Sequence, residues 1–193
     1  MEKLDAVFIS SVSNIEYLSG YSNFSTDERE AYLFIGGNFQ YIITDGRYSE
    51  AIKREVAHFT LFERGQRQSS EKLFKKHKDI KKLGIEEDNL TVAEFKSFKK
   101  YIKNIKHFNV GYLRAVKNDD EIEKIKKACN LGDKAFKYIL RKIKVGVTEK
   151  QIAQELERYI KGQGAEFSFP AIVAFGKNSS IPHHQTGDQR LTI

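Results

Sequence analysis

Over residues 4–110 the chain alternates between short apolar, β-branched runs and polar segments whose apolar residues fall three and four apart. The first kind suits strands and the second suits amphipathic helices. LDAVFIS (4–10), HFTLFE (58–63), KKLGIEE (81–87) and NIKHFNV (104–110) read as strands. AYLFI (31–35) and FQYIIT (39–44) read as a hairpin joined through Gly36, Gly37 and Asn38. Residues 48–56 and SSEKLFKKHK (69–78) read as helices, and Thr91 with Glu94 makes a capping box that opens TVAEFKSFKKYI. Neither element type can bury its apolar side alone, so this order predicts a sheet covered by helices, an α/β domain.

The character changes at Asn118, which can cap a long helix that begins DDEIE and runs to about Ile143. Ile122, Ile125, Ala128, Cys129, Gly132, Ala135, Phe136, Ile139 and Ile143 lay one apolar stripe along it. Cys129 lies on the stripe, which predicts a core thiol and not a reactive one. Gly146 is expected to terminate this helix. Thr148 and Gln151 make a second capping box, for TEKQIAQELERYIKGQG. FSFPAIVAFGKNSS (167–180) reads as a strand followed by a loop. The domain boundary is expected within VGYLRAVKN (110–118), dividing residues 1–115 from 116–193.

Composition removes several classes. With 40% apolar and 31% charged residues, the 193-residue chain has the balance of a globular protein. No apolar stretch approaches the roughly 20 residues a membrane helix needs, and MEKLDAVFIS is no secretory signal, so no membrane partner is expected. The lone cysteine excludes a disulfide framework and suits a cytoplasmic location. The net charge of +7 raises the question of nucleic acid. Yet the lysines are mixed with acids, as in KKHKDIKKLGIEED, and no aromatic-interleaved basic motif is present. They read as solvated faces, with no nucleic-acid partner.

No phosphate loop, dinucleotide fingerprint, HExxH, Cys-x-x-Cys or nucleophile elbow occurs. Of five histidines, His58 and His107 fall in or beside strand patterns and His77 on a lysine-rich helix, where structural roles are expected. His183 and His184 differ, because SSIPHHQTGDQRLTI sets them in a polar loop behind Pro182. Adjacent side chains on extended backbone point to opposite sides, so the two imidazoles do not readily grip one metal, and only Asp188 lies nearby. One imidazole donating a hydrogen bond to a substrate oxygen is chemically easier, and an exposed polar turn remains the plain alternative.

The segments also occur in a recognisable order. NIEYLSGYS (14–22), TDGRY (44–48), LGIEEDNLTVAEF (83–95), VKNDDEIEKIKKACNLGDKAF (116–136), GVTEKQIAQELE (146–157) and GAEFSFPAIVAFGKNSSIPHH (164–184) together resemble the proline-specific creatinase/methionine-aminopeptidase ("pita-bread") family. These are the Xaa-Pro aminopeptidases and Xaa-Pro dipeptidases (prolidases). The resemblance implies an α/β fold in which a creatinase-type N-terminal domain with a ribonuclease-H-like mixed sheet precedes an incomplete pita-bread α+β domain. It implies hydrolysis of Xaa-Pro bonds by two divalent metal ions (Mn, Co or Zn) held by two Asp, one His and two Glu, acting on a peptide with proline in second position in a homodimer. By the same resemblance His183 faces the substrate, His184 belongs to the surrounding loop, and Arg47 either contacts a substrate carboxylate or holds its turn.

The family's five metal ligands would all follow the segment matching GDQRLTI. This chain is therefore expected to carry no metal ligand, no catalytic residue and no bound metal pair, and to be inactive alone. The alternative is a non-catalytic homologue that serves as a binding module.

Overall fold

The computed structural model describes residues 3–65 and 71–193. The described chain divides into two compact units, Met1–Val116 and Lys117–Ile193.

The first unit is built on one six-stranded mixed sheet. Its strands are β1 (Ala6–Ile9), β2 (Ala31–Gly36), β3 (Phe39–Thr44), β4 (Thr60–Glu63), β5 (Lys82–Ile85) and β6 (Asn104–His107), arranged β4-β3-β2-β1-β5-β6. β1, β2 and β3 pair antiparallel, whereas β3–β4, β1–β5 and β5–β6 pair parallel. All six expected strands form, and the hairpin turns at Gly37 and Asn38. Strands alternate their side chains between two faces. Accordingly Phe8, Phe34 and Ile43 join one core and Ile9, Leu33 and Ile42 the other.

Helices cover both faces. Ile15 of α1 (Val12–Ser19) and Ile52 of α2 (Ser49–Glu55) pack with Ile9, Leu33 and Ile42. Leu73 and Phe74 of α3 (Glu71–Lys76) and Phe98 of α4 (Val92–Lys99) pack with Phe8 and Phe34. The start of the helix expected at 69–78 lies outside the described residues. The Thr91 capping box is present, with Glu94 N–H donating to Thr91 Oγ1 at 3.2 Å and Thr91 N–H donating to Glu94 Oε2 at 2.8 Å.

The segment NIEYLSGYS carried no expected element, yet it belongs to α1. Gly20 ends that helix in the left-handed region, φ 76°, and returns its N–H to Glu16 O at 2.8 Å, a conformation that suits a residue without a Cβ. A short helix, α5 (Gly111–Ala115), also occupies the segment expected to hold only the boundary.

The second unit holds α6 (Asp119–Leu140), α7 (Glu149–Gly162) and a 3-10 turn, Gly176–Ser180. Asn118 caps α6 and forms a full capping box with Glu121, and Thr148 does the same with Gln151 for α7. Ile139 and Ile152 meet Phe175 in a small core backed by Val147, Leu156, Val173 and Leu191.

Four expectations fail here. α6 ends at Leu140, six residues before Gly146, whose φ of 92° instead serves the turn into α7. The run from 167 to 175 forms no strand and pairs with no strand of the described residues; the Val173 and Phe175 amides donate instead to the Thr186 and Glu149 side chains. His58 lies in a turn before β4 and not in a strand. Cys129 is exposed, because within this unit only Ala135 and Ile139 of α6 are buried, and the rest of the stripe stays bare.

Candidate functional site

The second unit is organised by a carboxylate that sequence reasoning passed over. Glu149 is the first residue of α7 and is fully buried. Its Oε1 accepts from Phe175 N–H at 2.8 Å and from Asn178 Nδ2 at 2.9 Å, and its Oε2 accepts from Gly187 N–H at 3.1 Å. His184 Nε2 completes the set, 2.8 Å from Oε2. Burial pushes this carboxyl up, but the hydrogen bonds from Asn178, His184 and the Phe175 and Gly187 amides outweigh it and hold the group at about 2. The helix N-terminus adds a favourable dipole at the same end.

The backbone is tied to the same place. Glu149 N–H donates to Gln189 O at 3.0 Å, Lys150 N–H to Gly187 O at 2.9 Å, and Leu191 N–H to Val147 O at 2.9 Å. The segment LTI thus lies against the start of α7, with Thr148 and Arg190 in an antiparallel bridge. Thr186 Oγ1 accepts from Val173 N–H at 2.9 Å and fastens the 171–173 segment to the same loop.

Within this frame Pro182 and His183 form a turn closed by His184 N–H to Ile181 O at 3.1 Å. The turn gives the two imidazoles different surroundings. His184 reaches inward to Glu149, and its side chain is 15% exposed, whereas His183 stands exposed to solvent. An exposed imidazole is thereby set on a loop whose base is fixed by hydrogen bonds to a buried carboxylate. Beside the loop, α7 and the 166–171 segment enclose an open cleft of about 630 Å³, lined by Lys150, Gln154 and Lys161 on the helix and by Phe167, Phe169 and Thr186 opposite.

Arg47 belongs to the first unit, in the turn between β3 and α2. Its Nε and Nη2 donate to Asp45 Oδ1 and Oδ2 at 3.0 and 3.1 Å, and Glu30 Oε1 lies 3.5 Å away. The Asp45 hydrogen bond raises the guanidinium further above its ordinary range and holds the Asp45 carboxyl below its own. This fork–fork pairing fixes the turn, and the side chain is still 60% exposed.

A second buried carboxylate was also missed. Glu86, just past β5, accepts from the Ser10 and Ser11 amides at 2.6 and 2.8 Å and from Asn14 Nδ2, while Arg114 donates to Asn14 Oδ1 at 3.0 Å. Both Glu86 and Glu149 look like surface acids in a linear reading. Their signal would have been the loops that donate to them, and no spacing rule links residues so far apart.

The remaining histidines take structural places. His77 packs its ring 3.9 Å from Phe39, His58 Nε2 lies 3.1 Å from Leu18 O, and His107 lies 3.1 Å from Glu87. Among the described residues no three His, Cys, Asp or Glu side chains gather to hold a metal ion. Glu149 and His184 are, among those residues, already satisfied by one another, by Asn178 and by backbone amides. No helix of the described residues is long and apolar enough to cross a membrane.

Comparison with known proteins matches residues 1–116 to the Creatinase/Prolidase N-terminal domain and residues 123–192 to Metallopeptidase family M24. The uncharacterized peptidase YqhT of Bacillus subtilis is 32% identical over 97% of this chain and 54% of its own length. Among solved structures, the Xaa-Pro dipeptidase from Bacillus anthracis superposes with a TM-score of 0.80 at 28% identity, covering 97% of this chain and 53% of the other. The prolidase from Pyrococcus furiosus gives 0.78 at 29% identity, covering 97% and 54%. The chain spans about half the length of the curated relatives it matches. Its six-stranded mixed sheet, its M24 segment and the near-complete coverage place it: the chain belongs to the creatinase/prolidase family of pita-bread metallopeptidases.

Proposed function

We propose that this chain forms the substrate-flanking part of a metallopeptidase that cleaves Xaa-Pro bonds, working in the cytoplasm as a homodimer. His183 donates a hydrogen bond to the oxygen that gains charge as the bond before proline is attacked. His184 anchors the loop through Glu149, and Arg47 offers its exposed face to a substrate carboxylate. In this reading the two divalent metals, Mn, Co or Zn, are bound by residues outside these 193, and the chain alone is inactive. The observation that carries the reading is the division of labour in the His183–His184 turn, one imidazole locked to a buried carboxylate and its neighbour free to face a ligand.

The test joins residues 1–193 to the remaining part of the Bacillus subtilis relative and measures metal-dependent hydrolysis of a Xaa-Pro peptide. Activity is expected in the chimera, with His183→Ala lowering kcat about 100-fold at unchanged metal content. A chimera that folds, binds metal and is indifferent to His183→Ala would sink the assigned role. The 193-residue chain assayed alone with Mn or Co should show no turnover, and turnover would overturn the division between chain and metal site. The second reading, a non-catalytic binding module, is favoured by one observation: the bare apolar stripe of α6.

A further inference from the structure

Among the described residues, one buried side-chain polar atom has no hydrogen-bond partner: Nε2 of His77. Buried polar atoms are nearly always paired, so an orphan has a physical cause. His77 directly follows α3, where its N–H donates to Leu73 O at 3.0 Å and its carbonyl accepts from Ile80 N–H at 3.3 Å. The backbone is therefore held at both groups, and the imidazole is committed to the β2–β3 hairpin.

There the ring lies among three aromatic side chains. Its centroid is 3.9 Å from that of Phe39 with 34° between the planes, 5.7 Å from Tyr41 at 62°, and 6.0 Å from Phe34 at 83°. Phe39 has a second constraint, because a Cβ on Gly36 would run into its ring. Only a residue without a side chain lets the Phe39 ring take that place beside the hairpin turn. The stack of His77 on Phe39 thus ties the end of α3 to the hairpin, with Phe74 and Leu73 of α3 packed in the same core.

This stack suits a neutral imidazole and not a charged one. Imidazolium carries an N–H on both nitrogens, and the buried Nε2 has no acceptor. The charged groups facing the ring are Lys76 and Asp79, both on its own segment. From β3 the titratable group is the Tyr41 hydroxyl, and Phe34 of β2 and Phe39 of β3 carry no charge. Tyr41 is already taken by a cation, since Lys76 Nζ donates to its hydroxyl at 3.0 Å and lies 5.5 Å from its ring centroid. Burial, and then the Lys76 charge, lower the His77 imidazole below its ordinary 6.5, against the pull of Asp79.

We propose that His77 is a proton-controlled clasp, which when neutral stacks the end of α3 onto the β2–β3 hairpin and when protonated lets α3 lift from it. The proton comes from water, and the clasp is independent of the peptidase reading. Because the folded state favours the neutral ring, the clasp is complete above 6.5 and weakens as pH falls below that value.

NMR of the 193-residue chain tests this. The imidazole resonance of His77, assigned by its loss in His77→Phe, should titrate below 6.5. Amide exchange, corrected for the intrinsic rate, should show protection at residues 73–77 and 39–41 falling several-fold from about pH 7.5 to about pH 5.5, with β1 unchanged. His77→Phe keeps a ring in the stack and removes the titration, so its protection should be equal at both pH values. His107→Gln, which breaks the contact with Glu87, should keep the wild-type response. Titration of His77 at or above 6.5, a response that persists in His77→Phe, or an equal loss in β1 overturns the clasp. If His77→Phe does not fold, Phe39→Leu decides: removing the stacked ring should move the His77 titration toward 6.5, and an unmoved titration overturns the proposal.

Discussion

His184 Nε2 lies 2.8 Å from Oε2 of Glu149, a carboxylate with no solvent exposure, and the two residues are 35 positions apart. The contact ties the loop that presents His183 to the first turn of α7. Because Phe175, Asn178 and Gly187 donate to the same carboxylate, the loop is fixed at several points along its length.

Glu149→Gln should loosen that loop, since an amide cannot accept on both oxygens from four donors. The melting temperature should fall by about 5 °C, read by differential scanning calorimetry. The pH dependence carries the clearer sign. Glu149 is held at about 2 against an ordinary 4.5, so its contribution is present above 4.5 and is lost as pH falls toward 2. The wild-type melting temperature should drop more steeply than that of Glu149→Gln between those two values. Parallel curves would show that the carboxylate is not held as described.

Phe8→Ala should be the most damaging single truncation in the first unit. The ring is 2% exposed and lies 4.7 Å from Phe98, 5.1 Å from Tyr32 and 6.1 Å from Phe34, centroid to centroid. Removing it leaves a cavity that these rings cannot all collapse into, at about 3–5 kcal/mol. Urea denaturation with an unchanged m-value checks the figure.

Gly84→Ala tests the opposite failure. A Cβ on this β5 residue would come 2.7 Å from Leu4 Cδ1, 2.9 Å from Phe108 Cβ and 3.1 Å from Val7 Cγ1. Overpacking of that kind costs about 1–3 kcal/mol. Chemical denaturation should show the loss, and Leu4→Ala in the same chain should restore part of it.

Asn118→Ala removes an N-cap whose side chain accepts from Glu121 N–H at 2.9 Å. About 1 kcal/mol of α6 stability should go with it. Amide exchange should rise in the first turn of α6 and stay unchanged in α7, whose cap is Thr148.

Hydrophobic rhythm was sufficient for the sheet. Phe8, Leu33 and Ile42 alternate with neighbours that face the other way, and both faces are apolar because helices cover both. The capping boxes at Thr91 and Thr148 were equally legible, since each spans only four residues. α1 escaped because a short helix with Ser13, Asn14 and Ser19 among its eight residues looks like loop, and tertiary burial of Ile15 decides it. The 167–175 run misled in the other direction. Val173 and Phe175 are apolar enough for a strand, but a strand also requires a paired backbone, which local sequence does not supply.

By itself, then, the sequence determined the elements whose causes are local, namely alternation, caps and the hairpin turn, together with the family to which their order belongs. Only the tertiary structure decided that Glu149 is a buried hub, that His183 and His184 have opposite fates, that Arg47 is forked onto Asp45, and that Cys129 is bare. Each of those depends on which distant groups arrive at one point, and on whether any surface arrives at all. A carboxylate at a helix start is the same letter whether water or four hydrogen-bond donors surround it.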